Sequence, residues 1–364
     1  MVPNRRAFLK AAVNAGGLVF VGCGLTEVAG FAQPASRGTR MPVVLRGRRV
    51  KTIDMHAHCA VPKAAALLNR NGSVNGQDPL LMEGSALSER LARMDAQQID
   101  VAVLSINPNW YDAARDVAVD VIKIQNEGLA EFCGAHADRF AALASVALQF
   151  PDLAAQQLEH AVKTLRLHGV AIGGSVAGVE LSDEKLHPFW AKAEELGVVV
   201  FIHPQASGVL TNRLKGNGLL TNVIWNPLET TIALSHLIFE GTLDRFPGLK
   251  ICAAHGGGYL PSYMNRSDHG CTTFPAQCKA GVPKKHPTEY VKQMYYDSLV
   301  FTPEALRHLV AEVGAGQIVM GTDYPYPWVT EPVTHIFQTP GLNDAAREAI
   351  LGGTAAKLLG LSGK

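Results

Sequence analysis

Eight short apolar runs, separated by amphipathic segments of helical length, set the strongest limit on what this 364-residue chain can become. The runs fall at 50–56, 101–106, 140–148, 169–173, 198–203, 250–255, 294–300 and 318–323. Between them, residues 113–135, 152–167, 183–195, 227–243 and 303–313 repeat apolar positions at the spacing of a helix with one buried face, and a last such segment spans 344–359. Strands alternating with helices favour a parallel sheet, because parallel neighbours need a crossover long enough to hold a helix. Eight such units predict an α/β chain closed into a (β/α)8 TIM barrel. An open doubly wound sheet competes, but it wants a glycine-rich phosphate turn after its first strand. Asp54-Met55-His56-Ala57-His58 stands there instead, and Gly256-Gly257-Gly258 follows a late strand. Residues 60–86, rich in Asn and Gly, predict a long loop or small insertion after strand one, over the barrel mouth.

The first residues read differently from the rest. Asn4-Arg5-Arg6-Ala7-Phe8-Leu9-Lys10 is a twin-arginine signature, followed by a mild apolar stretch and a small-residue site ending at Ala32. The expected organisation is a twin-arginine signal peptide at 1–32, a linker at 33–49 and the barrel at 50–364. Export by the twin-arginine translocase to the periplasm or beyond follows. Stable membrane insertion of the mature protein does not, because Asn14, Gly16 and Gly17 interrupt a stretch already too short to span. Val21-Gly22-Cys23 also resembles a lipoprotein cleavage site, with Phe20 where leucine is usual, so anchoring through Cys23 is a secondary expectation. Lys and Arg number 33 against 32 Asp and Glu, which gives no reason to expect nucleic acid as a partner. No CxxC occurs among the six cysteines, which excludes a thiolate zinc site or redox dithiol of that spacing. Cys271 and Cys278 are close enough for a disulfide in an oxidising compartment or for two free thiols.

In a barrel the carboxyl ends of all strands open on one face. His56 and His58 end the first strand two residues apart, so they project side by side. His203 ends the fifth, His255 the sixth and Asp323 the eighth. Five groups able to bind a metal or move a proton thus meet in one space. Neutral imidazoles with a carboxylate suit a divalent cation, Zn2+ first and Mn2+ or Co2+ as well. Such a cation acidifies bound water and polarises a substrate oxygen.

Ile53 to His58, Arg93 to Asp100, Phe201-Ile202-His203-Pro204, His255 to Gly258, Gly321-Thr322-Asp323-Tyr324-Pro325 and the closing stretch from Gly352 to Leu361 stand together in this order. On these residues the chain resembles the amidohydrolase superfamily, in the branch typified by 2-amino-3-carboxymuconate-6-semialdehyde decarboxylase. Thr354 stands in that last stretch where Asn is commoner. The resemblance implies that His56, His58, His203 and Asp323 hold one divalent metal, that His255 beside it is the acid/base, and that Asp323 also carries protons. No lysine ends the run 169–173, so the bridging lysine of binuclear relatives has no place. The resemblance further implies that Arg266 binds a substrate carboxylate, reaching a neighbouring subunit's site, and hence a homodimer.

A second carboxylate-binding arginine is expected after strand one, yet only Lys63 and Arg70 occur there. The substrate, a small carboxylic acid, is therefore expected to carry fewer carboxylates than the branch's namesake compound. Tyr326 and Trp328 supply an aromatic wall for a planar ring or diene, whereas Trp225 reads as core. Asp297 is expected to orient His255 or a metal ligand. The function expected is metal-dependent, non-oxidative decarboxylation of an unsaturated or aromatic acid. The alternative is hydrolysis of a lactone or cyclic amide, and a barrel that only binds ligand is a third reading.

Overall fold

The computed structural model describes residues 40–68, 84–205, 211–214, 219–278 and 283–361. The twin-arginine segment, Cys23 and Arg70 lie outside the described residues, as does most of the expected insertion. Among the described residues, eight parallel strands close into a (β/α)8 TIM barrel. They are β1 (Ile53–His58), β2 (Val101–Ser105), β3 (Phe140–Ala142), β4 (Gly169–Ile172), β5 (Val199–Ile202), β6 (Lys250–Ala253), β7 (Tyr295–Asp297) and β8 (Ile318–Val319). Neighbours pair in parallel along β1–β3 and along β4–β8, for example Ala102 with Phe140 and Lys250 with Val199. Two looser seams complete the ring. Ala144 bridges to Val170 between β3 and β4, and Met55 N donates to Met320 O at 2.8 Å between β1 and β8.

The helices on the outside are α1 (Pro62–Leu67), α2 (Gly84–Ala96), α3 (Arg115–Ala135), α4 (Pro151–Lys163), α5 (His187–Leu196), α6 (Asn226–Phe239), α7 (Leu260–Thr273) and α8 (Pro303–Val313). Proline marks the first turn of most of them, where its missing N–H costs nothing. Thr302 adds a cap to α8, its hydroxyl accepting from Ala305 N at 3.1 Å. None of the described helices is long and apolar enough to cross a membrane.

Alternation along the strands divides the core. Ala102, Leu104, Val200, Ile202 and Ile251 face outward under the helices. Val101, Val103, Ala141, Leu143, Ala171, Val199, Phe201, Cys252 and Val319 face inward and fill the barrel. Ala355, Leu358 and Leu359 join that inner cluster and close its amino end. The last helix, expected over 344–359, runs without a break from Asp344 to Leu358 and widens into a π-helical turn at Ala349–Gly353. Gly352 lies against the main chain there: a Cβ on it would stand 2.2 Å from Lys51 O.

Two boundaries differ from the sequence reading. Part of the expected linker is a β-hairpin, Val43–Leu45 paired with Arg48–Val50, because Val43, Leu45 and Val50 bury against the main core. Val50 belongs to that hairpin rather than to the first barrel strand, which begins at Ile53. The stretch 60–86 is not wholly loop, since it holds α1 and the start of α2. Cys271 and Cys278 form a disulfide rather than two free thiols.

Candidate active site

The strand β1 carries the device that builds the site. Ile53 and Met55 belong to the inner cluster and Ala57 to the outer one, which regular alternation does not allow. A register shift between Asp54 and Ala57 resolves the conflict. This β-bulge switches the strand's parity, so apolar side chains fill the barrel below and both imidazoles enter its mouth above. His56 Nε2 and His58 Nε2 consequently lie 3.0 Å apart. On β5 the switch is unnecessary, because Val199, Phe201 and His203 share one face. His255 follows the inward Ala254 and reaches the mouth through a left-handed backbone, φ 56°. Asp323 does the same at φ 60°. Left-handed backbone at two residues other than glycine is the kind of strain that surrounding structure must hold in place.

The glycine run after His255 makes this conformation possible. Gly256, Gly257 and Gly258 all have positive φ, and a Cβ on Gly258 would stand 2.0 Å from Pro227 O. Gly321 clears space in another way. A Cβ there would lie 3.0 Å from the Cβ atoms of both His56 and Asp297, so a bare position lets that pair meet.

The four donors His56, His58, His203 and Asp323 are all buried, and their ligand atoms lie within 4.8 Å of one another. Asp323 Oδ1 is 2.9 Å from His58 Nε2, 3.1 Å from His56 Nε2 and 4.0 Å from His203 Nε2. Asp323 Oδ2 faces His255 Nε2 at 3.5 Å. Both ring nitrogens of His203 are buried without a hydrogen-bond partner among the described residues. A buried imidazole with no partner is costly, and a cation at its lone pair removes that cost. The donor set of three imidazoles and a carboxylate fits one divalent metal.

Electrostatics agree with a site made for positive charge. Burial holds the His58 pKa down and that of His203 well down, so both stay neutral and able to coordinate. For His56 burial also acts downward, but the Asp323 and Asp297 carboxylates outweigh it and lift the pKa to about 10. Burial would raise the Asp323 carboxyl, yet His56 and its neighbours hold it well below the usual range.

Asp297, fully buried, ties the pieces together. Its Oδ2 accepts from His56 Nδ1 at 2.6 Å and from His255 N at 2.9 Å. Its Oδ1 accepts from Gly256 N at 2.8 Å and Leu299 N at 3.1 Å. One carboxylate thus fixes the tautomer of a candidate ligand and the backbone that aims His255.

Other expected residues fall as follows. Tyr326 is half-buried with its ring 6.2 Å from that of His58. Trp328 turns outward and packs on Phe301, ring centroids 5.8 Å apart. Arg266 stands exposed on α7 and makes no hydrogen bond or ion pair with any described residue, so this chain does not bring it to its own cluster. Lys63 is exposed on α1, and Trp225 is buried with Nε1 donating to Gln205 O.

Three supporting residues had no role in the sequence reading. Asp54 accepts from Thr322 Oγ1 at 2.6 Å, Thr322 N at 3.0 Å and His56 N at 3.1 Å, locking β1 to the strand that delivers Asp323. Arg90 on α2 is fully buried, donates to His58 O at 2.6 Å and stacks 4.1 Å over the Tyr324 ring. Ser105 Oγ lies 3.4 Å from His58 Nδ1. Asp54 sat in plain view beside the histidines. Arg90 gave no signal, because nothing in its helix marks an arginine as buried.

Residues 53–361 match the amidohydrolase family, and the chain belongs to it. It is 34% identical over 275 residues to the 2-amino-3-carboxymuconate-6-semialdehyde decarboxylase of Dictyostelium discoideum, spanning 75% of this chain and 76% of that one. It is 30% identical over 292 residues to the gamma-resorcylate decarboxylase of Rhodococcus jostii, covering 75% and 87% respectively. The solved dihydroxybenzoic acid decarboxylase of a Polaromonas species, with bound manganese and the inhibitor 2-nitroresorcinol, superposes with a TM-score of 0.74. That match has 25% identity and covers 86% of this chain and 98% of that one.

Proposed function

We propose that the protein is a metal-dependent, non-oxidative decarboxylase of an unsaturated or aromatic carboxylic acid. The observation that carries this reading is the convergence of His56, His58, His203 and Asp323, with His255 Nε2 beside the outer oxygen of Asp323. A divalent cation held by these four supplies Lewis acidity toward a substrate oxygen. The chain's own residues do the remaining work. His255 delivers a proton from Nε2 to the carbon that bears the carboxylate, and the π electrons there form the new C–H bond. The bond to the carboxylate then breaks, its electron pair restores conjugation, and carbon dioxide leaves. Asp323 Oδ2 is placed to exchange the proton with His255. Asp297 keeps the proton of His56 on Nδ1, which leaves Nε2 free to coordinate.

The test is carbon dioxide release from a panel of aromatic acids by metal-loaded protein. Turnover of lactones or cyclic amides with no release from any acid would replace this reading with hydrolysis. His255→Ala should keep the metal and lose most turnover, and loss of the metal would make His255 a ligand. Asp323→Ala should lose both.

The metal is proposed to be Zn2+, with Mn2+, present in the Polaromonas relative, or Co2+ as the outcomes of elemental analysis that would revise it. Exposure of Arg266 on α7 supports a homodimer in which it serves the second subunit's substrate carboxylate. Sedimentation should then give twice the monomer mass, and Arg266→Ala should raise KM. The Arg5-Arg6 signature supports export to the periplasm by the twin-arginine translocase. Arg5→Lys with Arg6→Lys should leave the protein in the cytoplasm.

A further inference from the structure

The metal donors occupy only part of the mouth, and the opposite sector is bare in a specific way. Inward parity places Ser105 at the end of β2, Ser145 beyond β3 and Gly173 beyond β4, all small. In a closed eight-strand ring β4 lies across from β8, which delivers Asp323, and beside β5, which delivers His203. The loop after β2 reaches over this sector. Trp110 bolts it down, fully buried with Nε1 donating to Val146 O at 2.9 Å, while Gln149 Nε2 donates to Trp110 O at 2.7 Å. The next residue, Tyr111, projects to the end of β4. Its hydroxyl oxygen accepts from Gly173 N at 3.2 Å, and a Cβ on Gly173 would lie 3.2 Å from Tyr111 Cε2 and 3.8 Å from Gln205 Cγ. The bare position on β4 is thus roofed by the Tyr111 ring.

The hydroxyl is in an unfinished state. It receives one backbone N–H, and no described residue accepts its own proton. Burial raises its pKa above the usual phenol range, so it stays a neutral donor. An acidic group stands just past the end of β4: Glu229 packs against Gly174 and accepts from Ser175 Oγ at 2.9 Å. A second carboxylate of the substrate would meet an acid here.

We infer that Tyr111 is a substrate-binding donor, and that the sector over β4 takes a neutral oxygen substituent carried by the acid's ring. The inference rests on the decarboxylase reading of the same site. It also accounts for the absence of a second arginine after β1, because the substrate's second polar group is held by a neutral donor rather than a cation.

The experiment measures binding, not turnover. Metal-loaded protein is titrated with 2-nitrophenol and with nitrophenols bearing one further hydroxyl at each ring position, followed by their visible absorbance. One isomer should bind wild type about tenfold more tightly than 2-nitrophenol, the worth of one neutral hydrogen bond. Tyr111→Phe should erase that gain and leave 2-nitrophenol unchanged. Gly173→Ala, which displaces the Tyr111 ring, should erase it too. If no isomer gains, if the gain survives Tyr111→Phe, or if 2-nitrophenol weakens equally, the Tyr111 assignment is overturned while the aromatic-acid reading stands. If wild type binds none of the series, that reading falls and the subsite with it.

Discussion

Replacing Asp297 by Asn changes one atom's identity and should disable the metal site. Each carboxylate oxygen accepts two donors: Oδ2 takes His56 Nδ1 and His255 N, and Oδ1 takes Gly256 N and Leu299 N. An amide has one oxygen, so one pair of donors must face an NH2 group. With the NH2 toward Leu299, two buried backbone N–H groups lose their acceptor. With the NH2 toward His56, only His255 N is stranded, and the His56 imidazolium can respond by giving up its Nδ1 proton while Nε2 keeps its own. That second arrangement costs less, but it puts hydrogen on the nitrogen meant for the metal. Binding a cation must reverse the tautomer against the amide, a conflict that costs 10–100-fold in affinity at comparable sites, or about 1.4–2.7 kcal/mol. The stranded His255 N–H should separately lower the stability of the metal-free protein by ~1–3 kcal/mol. Competition against a chromogenic chelator measures the first quantity, and urea unfolding of metal-free protein measures the second. Affinity within about twofold of wild type, with an unchanged unfolding midpoint, would refute the reasoning.

Metal binding should release a proton near neutral pH, because His56 in the metal-free protein stays protonated up to about 10. Affinity should therefore climb with pH up to about 10 and level off above it, and calorimetry in two buffers of different ionisation enthalpy should find roughly one proton released; none released would contradict the assigned charge state. The same raised pKa stabilises the metal-free fold fully below the unfolded value near ~6.5 and ceases to do so as pH rises through about 10. Arg90→Lys should cost about 2–4 kcal/mol in chemical denaturation, because an ammonium cannot both reach His58 O and lie flat on Tyr324; a loss below about 0.5 kcal/mol would show the stack to be dispensable. Gly258→Ala combines left-handed backbone with a Cβ 2.0 Å from Pro227 O. It should reduce the melting temperature sharply and lower turnover through the displaced His255, and a variant as stable as wild type would contradict the close approach.

The barrel was legible because its cause is local. Runs of apolar residues with period two, separated by segments with period 3.6, persist for eight units, and parallel pairing follows from connection length. The donors were legible for the same reason, since each ends an apolar run: His203 continues the inward line of Val199 and Phe201. The hairpin at Val43–Val50 was missed because its strands are only three residues each, too short to show a period. Arg90 was missed because burial of an arginine depends on what lies across from it, here Tyr324 and the His58 carbonyl.

The sequence by itself therefore determined the fold class and the kinds of groups that would meet at the strand ends, because periodicity and position along a strand are properties of one chain segment. Only the tertiary structure decided how they meet. The bulge that turns both β1 imidazoles inward, the left-handed backbone of His255 and Asp323, and the hydrogen bonds from His56, His255 and Gly256 to Asp297 depend on segments remote in sequence. So does the position of Tyr111 over Gly173. Such contacts depend on closure of the ring, which no single segment encodes.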